Sequence, residues 1–150
     1  MNTKKDKDRL KKQASFLKSK YENAIEKVKE MHITPQEVTP TYGIYVNVVY
    51  ISHPYAGKKE NIKETENIIN TLDERGVHTI SVISPLHNFS FAKYSPNTTN
   101  TYWEDLLKCI KLLNRNTNLI LCGDWRNSLG CCVELLYCLE EDIMVYELKK

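Results

Sequence analysis

The stretch from Asn118 to Glu134, NLILCGDWRNSLGCCVE, contains the transition that decides the fold. Its first five residues form an apolar run of strand length, and a helix pattern starts near Ser128, with Gly130 in its first turn. A strand that passes through a polar turn into a helix predicts a parallel sheet with the turn at its carboxyl edge, where anions are favoured. Taken alone, Ser128 is most simply an N-cap, and Gly130 a residue that lets helix and sheet pack closely.

Glu134 is the one charged residue between Ser128 and Leu139. Burying an ionised carboxylate without a partner is costly, so such a group is paired, shifts its pKa or serves a reaction. Glu134 also lies one helical turn beyond Gly130, on the same side and near the opening of the turn. We therefore interpret Glu134 as the first candidate for a functional residue.

The remainder of the chain repeats this alternation of strand and helix patterns. Val, Ile and Tyr dominate the first strand pattern, and Gly76 closes the first helix pattern. Such alternation predicts an α/β protein with right-handed crossovers and a mostly parallel sheet covered on both faces. The predicted strands span residues 44–51, 77–84, 118–122 and 143–146, and the predicted helices span residues 59–75, 102–113 and 128–141.

The N-terminal part combines positive charge with a regular apolar stripe. Residues 1–30 contain ten lysines and arginines against five acids, although the net charge of the chain is only +2. The stripe advances in alternating steps of four and three, which predicts a long helix that docks on a partner or dimerises. A nucleic-acid arm is disfavoured because no aromatic interleaving accompanies the lysines, and a solvated helix would leave the stripe exposed. The stripe consists of Leu10, Ala14, Leu17, Tyr21, Ala24, Val28 and Met31.

Pro35 and Pro40 break this helix and predict a linker over residues 34–41. The expected organisation is a helical extension with its linker at residues 1–38, followed by an α/β domain at residues 39–150. No apolar run approaches the length of a membrane span. Five cysteines without CxxC spacing predict core thiols in a cytoplasmic protein, with no disulfide frame, metal site or cofactor.

Three loops at the predicted carboxyl edge contain polar or reactive side chains, and ligands of α/β sheets bind at that edge. A lone loop histidine is usually structural, so the two histidines gain weight only because the loops converge. The sequence predicts one pocket here. Its candidate residues are Ser52, His53, Pro54, Tyr55 and Gly57 after the first strand, His87 after the second, and Asp124, Trp125, Ser128 and Gly130 after the third.

Three segments carry a family resemblance: residues 49–57 (VYISHPYAG), 84–87 (SPLH) and 123–134 (GDWRNSLGCCVE). They resemble an uncharacterised bacterial and phage domain family related to nucleoside 2-deoxyribosyltransferases and deoxynucleoside 5′-monophosphate N-glycosidases. The similarity covers about residues 45–146, and its most specific part is the pattern Gly-x-Trp-x-x-Ser-x-Gly-x-x-x-Glu.

The resemblance implies a flavodoxin-like, Rossmann-like three-layer fold and a homo-oligomer that binds a nucleoside or nucleotide. It also implies that Glu134 acts on the anomeric carbon of a deoxyribose. A carboxylate beneath C1′ forms a covalent glycosyl ester or stabilises an oxocarbenium ion. The first loop, with Ser128 and Gly130, would bind the sugar or its 5′-phosphate. The expected base-stacking rings are Tyr55, Trp103 and Trp125, and the expected orienting donor is His53 or His87.

Two positions depart from the family pattern. The related enzymes carry an aspartate on the preceding helix that assists the leaving base, and Cys109 stands there in this chain. Thr117 stands where a second acid is common. Asp105, one turn before Cys109 on the same face, becomes the candidate general acid. The expected function is therefore N-glycosidase or deoxyribosyltransferase chemistry, and the alternative is a non-catalytic nucleotide-binding protein.

Overall fold

Parallel strand pairing organises the described part of the chain, residues 3–38, 44–54, 59–74, 77–83 and 100–149 of a computed structural model. Each strand and helix predicted for the α/β part is present, with ends that differ by at most three residues. The strands are β1 (Gln36–Glu37), β2 (Ile44–Ser52), β3 (Val77–Ile83), β4 (Thr117–Cys122) and β5 (Met144–Leu148). The helices are α1 (Lys4–Tyr21), α2 (Ala24–Met31), α3 (Lys59–Glu74), α4 (Asn100–Ile110) and α5 (Leu129–Glu140), and a 3₁₀ turn (Trp125–Asn127) precedes α5.

The sheet confirms the predicted α/β class, because all its pairings are parallel in the order β1-β5-β4-β2-β3. β2 is an inner strand and pairs with β3 on one side and with β4, the central strand, on the other, where Ser52 is in register with Leu121. The chain runs from β2 outward to β3 and then crosses to β4. The strand order therefore reverses between β2 and β4.

Alternation along the central strands directs their side chains into two separate cores. Val49 and Ile51 of β2 pack in one core with Ile68 and Leu72 of α3. Tyr50, which lies between them in β2, belongs to the other core, to which α1, α2, α4 and α5 contribute. Because successive strand residues face opposite sides of a sheet, neighbours in β2 meet different helices.

The N-terminal stripe is buried against the chain itself. A short break at Glu22 and Asn23 divides the predicted single helix into α1 and α2, which contact α4 and α5 respectively. The expectation that this stripe docks on another chain is therefore corrected for five of its seven side chains, which are already covered, whereas Met31 at its end is 50% exposed. Homo-oligomerisation by any other surface stays a prediction. The buried stripe residues are Ala14, Leu17, Tyr21, Ala24 and Val28, each at most 7% exposed.

The end of α1 is also fastened by polar contacts. Lys20 Nζ lies 2.7 Å from Glu140 Oε2, and the Tyr21 hydroxyl donates a hydrogen bond to the same oxygen at 2.9 Å. These contacts join residues 119 and 120 positions apart in sequence. They connect α1 to the last turn of α5, the helix that contains Glu134.

The predicted linker contains a strand that the sequence pattern did not show. Gln36 and Glu37 pair in parallel with Tyr146 and Glu147 of β5, and the Val38 N–H donates to the Glu147 carbonyl at 2.9 Å. A two-residue strand has too little sequence to produce a periodic pattern. β1 therefore extends the sheet by one short edge strand.

The cysteines are buried, and two kinds of feature are absent from the described residues. All five cysteines are free and buried, as expected of core thiols. In the ranges that the structure describes, no helix combines the length and apolar character needed to cross a membrane. Across the same ranges, no group of three or more His, Cys, Asp or Glu side chains is arranged to hold a metal ion.

Candidate functional site

Glu134 lies in the second turn of α5 and is only 6% exposed. α5 follows β4 through the 3₁₀ turn, so its first turns lie beyond the carboxyl end of a central strand. The Ser128 side chain caps α5 by accepting a hydrogen bond from the Cys131 N–H. The helix start therefore places the carboxylate at the sheet edge that the sequence predicted.

Ser52 is the direct partner of Glu134. Its Oγ donates a hydrogen bond to Glu134 Oε1 at 2.8 Å, and both side chains are buried. Ser52 is the last residue of β2, and α5 follows β4, the strand beside it. The hydrogen bond therefore spans the point where the strand order reverses, which is where open α/β sheets bind ligands.

Two opposing effects set the pKa of Glu134. Burial dominates and raises its pKa from 4.5 to about 7, because the charged form loses its hydration. Tyr50 and Ser52 act in the other direction and lower the pKa by stabilising the carboxylate. The resulting carboxyl group exchanges its proton near neutral pH, the range in which acid–base and nucleophilic groups operate.

The described groups next to Glu134 are neutral. Its negative charge raises the pKa of the thiols of Cys109, Cys131 and Cys138, which burial raises already to a greater extent. In the part of the chain that the structure describes, no cationic side chain forms an ion pair with Glu134. The carboxylate is therefore held by hydrogen bonding and not by charge neutralisation.

Tyr50 is a site residue that sequence reasoning missed. Its hydroxyl is fully buried beside Glu134 and Cys109, yet it has no hydrogen-bond partner of acceptable geometry among the described residues. Burial, followed by the charge of Glu134, raises the pKa of Tyr50 well above its usual value. The available signal was strand alternation, because Tyr50 and Ser52 are two residues apart and share a face of β2.

Gly130 makes room for a second tyrosine next to the site. A Cβ atom at Gly130 would lie 3.0 Å from the Tyr102 hydroxyl, closer than side chains normally approach. Burial, with a smaller contribution from the charge of Glu134, raises the pKa of Tyr102. Gly130 thus has a close-packing role, as the sequence allowed, but the neighbour it accommodates is Tyr102 of helix α4.

His53 lies on the opposite face of the sheet from Glu134, which corrects the expectation that it orients a substrate there. Its Nε2 lies 3.3 Å from Glu64 Oε2 of α3, without hydrogen-bond geometry, and its Nδ1 lies 2.7 Å from the Pro54 carbonyl oxygen. The reason is strand alternation, since Ser52 and His53 are adjacent residues. Pro54 itself is half-buried and supplies the backbone acceptor.

The two tryptophans expected to stack on a base are core residues. Trp103 is 1% and Trp125 is 2% exposed, so neither ring presents a face to a ligand. Trp125 Nε1 donates to Glu147 Oε1 at 3.1 Å, and the Arg126 guanidinium lies 4.3 Å from the centre of its ring. The stacking role is corrected to packing, because large rings gain most from full burial.

The remaining candidates are dispersed. Asp124 is exposed and accepts hydrogen bonds from Asn127 at 2.9 and 3.0 Å, so it stabilises the turn before α5. Thr117 is buried at the start of β4, and its hydroxyl hydrogen-bonds within the preceding turn at Leu112 and Asn114. Tyr55, Gly57 and His87 lie outside the described residues.

Asp105, the candidate general acid, is half-buried on α4, and burial raises the pKa of its carboxyl group. Its oxygen Oδ1 lies 3.8 Å from Lys108 Nζ, which lowers that pKa in part. The groups that set the pKa of Glu134 include Tyr50 and Ser52 but not Asp105. Cys109, one turn further on in α4, is near enough to Glu134 for the negative charge to raise the pKa of its thiol, in addition to the larger effect of burial.

Comparisons with known proteins do not identify a family for the chain. No protein-family model matches it, and neither the curated proteins nor the solved structures include a significant match.

Proposed function

We propose that this protein acts on the N-glycosidic bond of a deoxynucleoside or a deoxynucleoside monophosphate, with Glu134 as the nucleophile. The observation that carries the proposal is the buried carboxylate, held by Ser52 at 2.8 Å, with a pKa of about 7 and with no cationic partner among the described residues. A structural carboxylate at such a depth is normally paired with a cation, because an unpaired one destabilises the fold. An unpaired one is typical of a reactive site.

The strand order supports the proposal. The order β3-β2-β4-β5 corresponds to the first four strands of a flavodoxin-like sheet, in which the switch point lies between the two central strands. Ser52 and Glu134 meet at that point. A flavodoxin-like fold with a nucleotide-sized ligand at this edge is therefore part of the proposal.

The proposed reaction has two displacement steps. Glu134 Oε2 attacks C1′ while Oε1 stays bonded to Ser52, and the bond from C1′ to the base nitrogen breaks with its electron pair on the base. The base takes up a proton as it leaves. Water, or the nitrogen of a second base, then attacks C1′ of the glycosyl ester, loses a proton and releases Glu134 as a carboxylate.

Protonation of the departing base is the weaker part of the proposed mechanism. Cys109 occupies the position next to Glu134 and Tyr50, and its buried thiol has a pKa far above neutrality. Such a thiol is a poor proton donor to a departing base, and a general acid typically contributes about 10²–10⁴-fold. We therefore expect slow turnover, with Asp105 or solvent as the proton source.

A non-catalytic nucleotide-binding protein is the second candidate. The observation that favours it is the thiol of Cys109 in place of a carboxylate beside the nucleophile. In that function Tyr50 and Glu134 would hydrogen-bond the sugar without breaking its bond to the base. Glu134 would then be a binding group whose raised pKa lets it act as a hydrogen-bond donor when protonated and as an acceptor when ionised.

One assay separates the two functions. The purified protein is incubated with each deoxynucleoside and each 5′-monophosphate, and free base is detected by chromatography. If the protein is the proposed enzyme, the wild type should release free base, and Glu134→Gln should reduce release by roughly a thousandfold or more. A second free base added to the reaction reveals transfer through a new nucleoside.

Glu141→Gln is the matched control, because Glu141 is an exposed acid at the end of the same helix. Its release rate should equal that of the wild type. Calorimetric binding of a nucleotide by both wild type and Glu134→Gln, without base release by either, would reject the enzyme in favour of the binding protein. If neither protein binds nor cleaves any member of the panel, both candidate functions fail.

A further inference from the structure

The outward side of α1 has a composition that the packing of the fold does not explain. Phe16 is 71% exposed, the most exposed of the large apolar side chains in the described residues. The stripe that seats α1 on the domain, Ala14, Leu17 and Tyr21, lies on the other side of the helix. Phe16 therefore does not contribute to docking α1, and its exposure calls for another role.

Basic side chains lie in line with Phe16. Arg9 and Lys12 precede it by seven and four residues, and Lys5 by eleven, spacings that keep all of them on one helical face. All three are exposed. With a rise of about 1.5 Å per residue, the row from Lys5 to Phe16 extends over roughly 16 Å. We call these four residues the outer face of α1.

The charge of this face is positive and, among the described residues, largely uncompensated. Lys5, Arg9 and Lys12 line one open depression together with Lys4 and a single acid, Asp8. The other acid of the first turns, Asp6, is engaged with Thr3 in the capping box. A polyanion is therefore the chemically complementary partner.

We propose that the outer face of α1 binds single-stranded nucleic acid, with Lys5, Arg9 and Lys12 on successive phosphates and Phe16 stacked on a base. Positive side chains along a backbone with an aromatic platform among them are the usual elements of single-strand binding. A duplex covers its base faces, so Phe16 has a stacking partner only on a single strand. The proposal does not depend on the reaction proposed for Glu134.

Two features of the fold favour nucleic acid as the partner of the outer face of α1. The sequence disfavoured nucleic acid because the apolar stripe appeared to need a partner chain and because no aromatic interleaving accompanied the lysines. The structure buries the stripe within the chain and turns Phe16 outward among the basic residues. An anionic membrane is a poorer match, because amphipathic helices insert an apolar face, and that of α1 is already covered.

Fluorescence anisotropy of the full-length protein with labelled dT20 and with a duplex of equal length tests the proposal at several salt concentrations. The single strand should bind more tightly than the duplex. Lys5→Gln, Arg9→Gln and Lys12→Gln combined should weaken dT20 binding at least tenfold. Loss of three single-strand phosphate contacts should also reduce the slope of log affinity against log salt by about two.

The matched control removes two lysines and one arginine elsewhere, at Lys27, Lys29 and Arg115, all exposed. It should retain most of the affinity. Equal loss in both triple variants would mean attraction to total charge alone and would overturn the proposal. So would the absence of dT20 binding by the wild type at 50 mM salt.

Phe16→Ala and Phe16→Leu separate stacking from apolar insertion. Both should weaken dT20 binding by about tenfold, because stacking on one base contributes about 1–3 kcal/mol and leucine has no aromatic face. Vesicles of phosphatidylserine and phosphatidylcholine provide the comparison. One outcome would assign the outer face of α1 to membranes and reject the proposal. In it, the wild type binds the vesicles but not dT20, Phe16→Leu retains vesicle binding, and Phe16→Ala loses it.

Discussion

At the scale of the residue, Glu134 is an acidic group in buried surroundings that disfavour its charged form. Its carboxyl group is buried, and its only direct hydrogen-bond donor of good geometry among the described residues is Ser52. Burial raises its pKa from 4.5 to about 7, so the folded state binds this proton more tightly than the unfolded state does. The contribution of Glu134 to the free energy of unfolding therefore falls as the pH rises from about 4.5 to 7.

Glu134→Gln should remove this penalty. Glutamine is neutral at every pH and nearly isosteric, so at pH 8 the variant should be more stable than the wild type by up to about 3 kcal/mol. At pH 4.5, where the wild-type carboxyl group is protonated, the difference should nearly vanish. Urea unfolding at both pH values measures it, with Glu141→Gln as the control. A variant less stable than the wild type at pH 8 would show that the ionised carboxylate stabilises the fold.

At the scale of the element, the turn between β4 and α5 depends on Gly123. Its φ is +62°, and a Cβ atom there would lie 2.9 Å from His53 Nε2. The His53 ring cannot move away easily, since its side chain is 1% exposed and its Nδ1 is engaged with Pro54. This turn leads directly into the cap of the helix that contains Glu134.

Gly123→Ala should therefore destabilise the protein by about 2–3 kcal/mol, of which about 1–2 kcal/mol comes from the left-handed backbone conformation. The contact with His53 supplies the rest. In a double-mutant cycle with His53→Ala, the contact part should disappear and the backbone part should remain. Strict additivity of the two substitutions in thermal unfolding would show that the predicted contact is absent.

The packing of α1 against the main core can be tested with two adjacent residues. Leu17 is 7% exposed and belongs to the main core, whereas Phe16 is 71% exposed. Leu17→Ala should lower the free energy of unfolding by about 2–4 kcal/mol, because it leaves a cavity in that core. Phe16→Ala should change it by less than about 0.5 kcal/mol. Similar values for the two variants in denaturant titration would contradict the docking of α1 described above.

At the scale of the whole molecule, α1 and α2 cover the apolar faces of α4 and α5. Deleting residues 1–33 should expose those faces and cause association, since large exposed apolar patches promote it. Light scattering should show a higher mean mass for the truncated chain than for the full chain, together with increased binding of a hydrophobic dye. If the truncated chain instead stays monodisperse and forms a smaller oligomer than the full chain, then α1 and α2 contribute to an interface between subunits.

The sequence by itself determined the local helices and strands and identified Glu134 as the exceptional residue. The helix start at Ser128 and the strand that precedes it could be predicted because caps, turns and apolar periodicity act over a few residues. Glu134 could be predicted as desolvated for the same reason, since every neighbour on its helix is uncharged. These are properties of short segments, and they hold before any partner surface is known.

Only the tertiary structure decided which surfaces meet. Two residues that are adjacent in the chain, Ser52 and His53, face opposite sides of the sheet, so one contacts Glu134 and the other contacts Glu64. The apolar stripe of α1 required a partner, but periodicity does not say whether the partner is another chain or α4. Phe16 likewise acquires its outward position only once α1 is seated. Contacts between distant residues depend on the packing of the whole chain, and no local pattern records them.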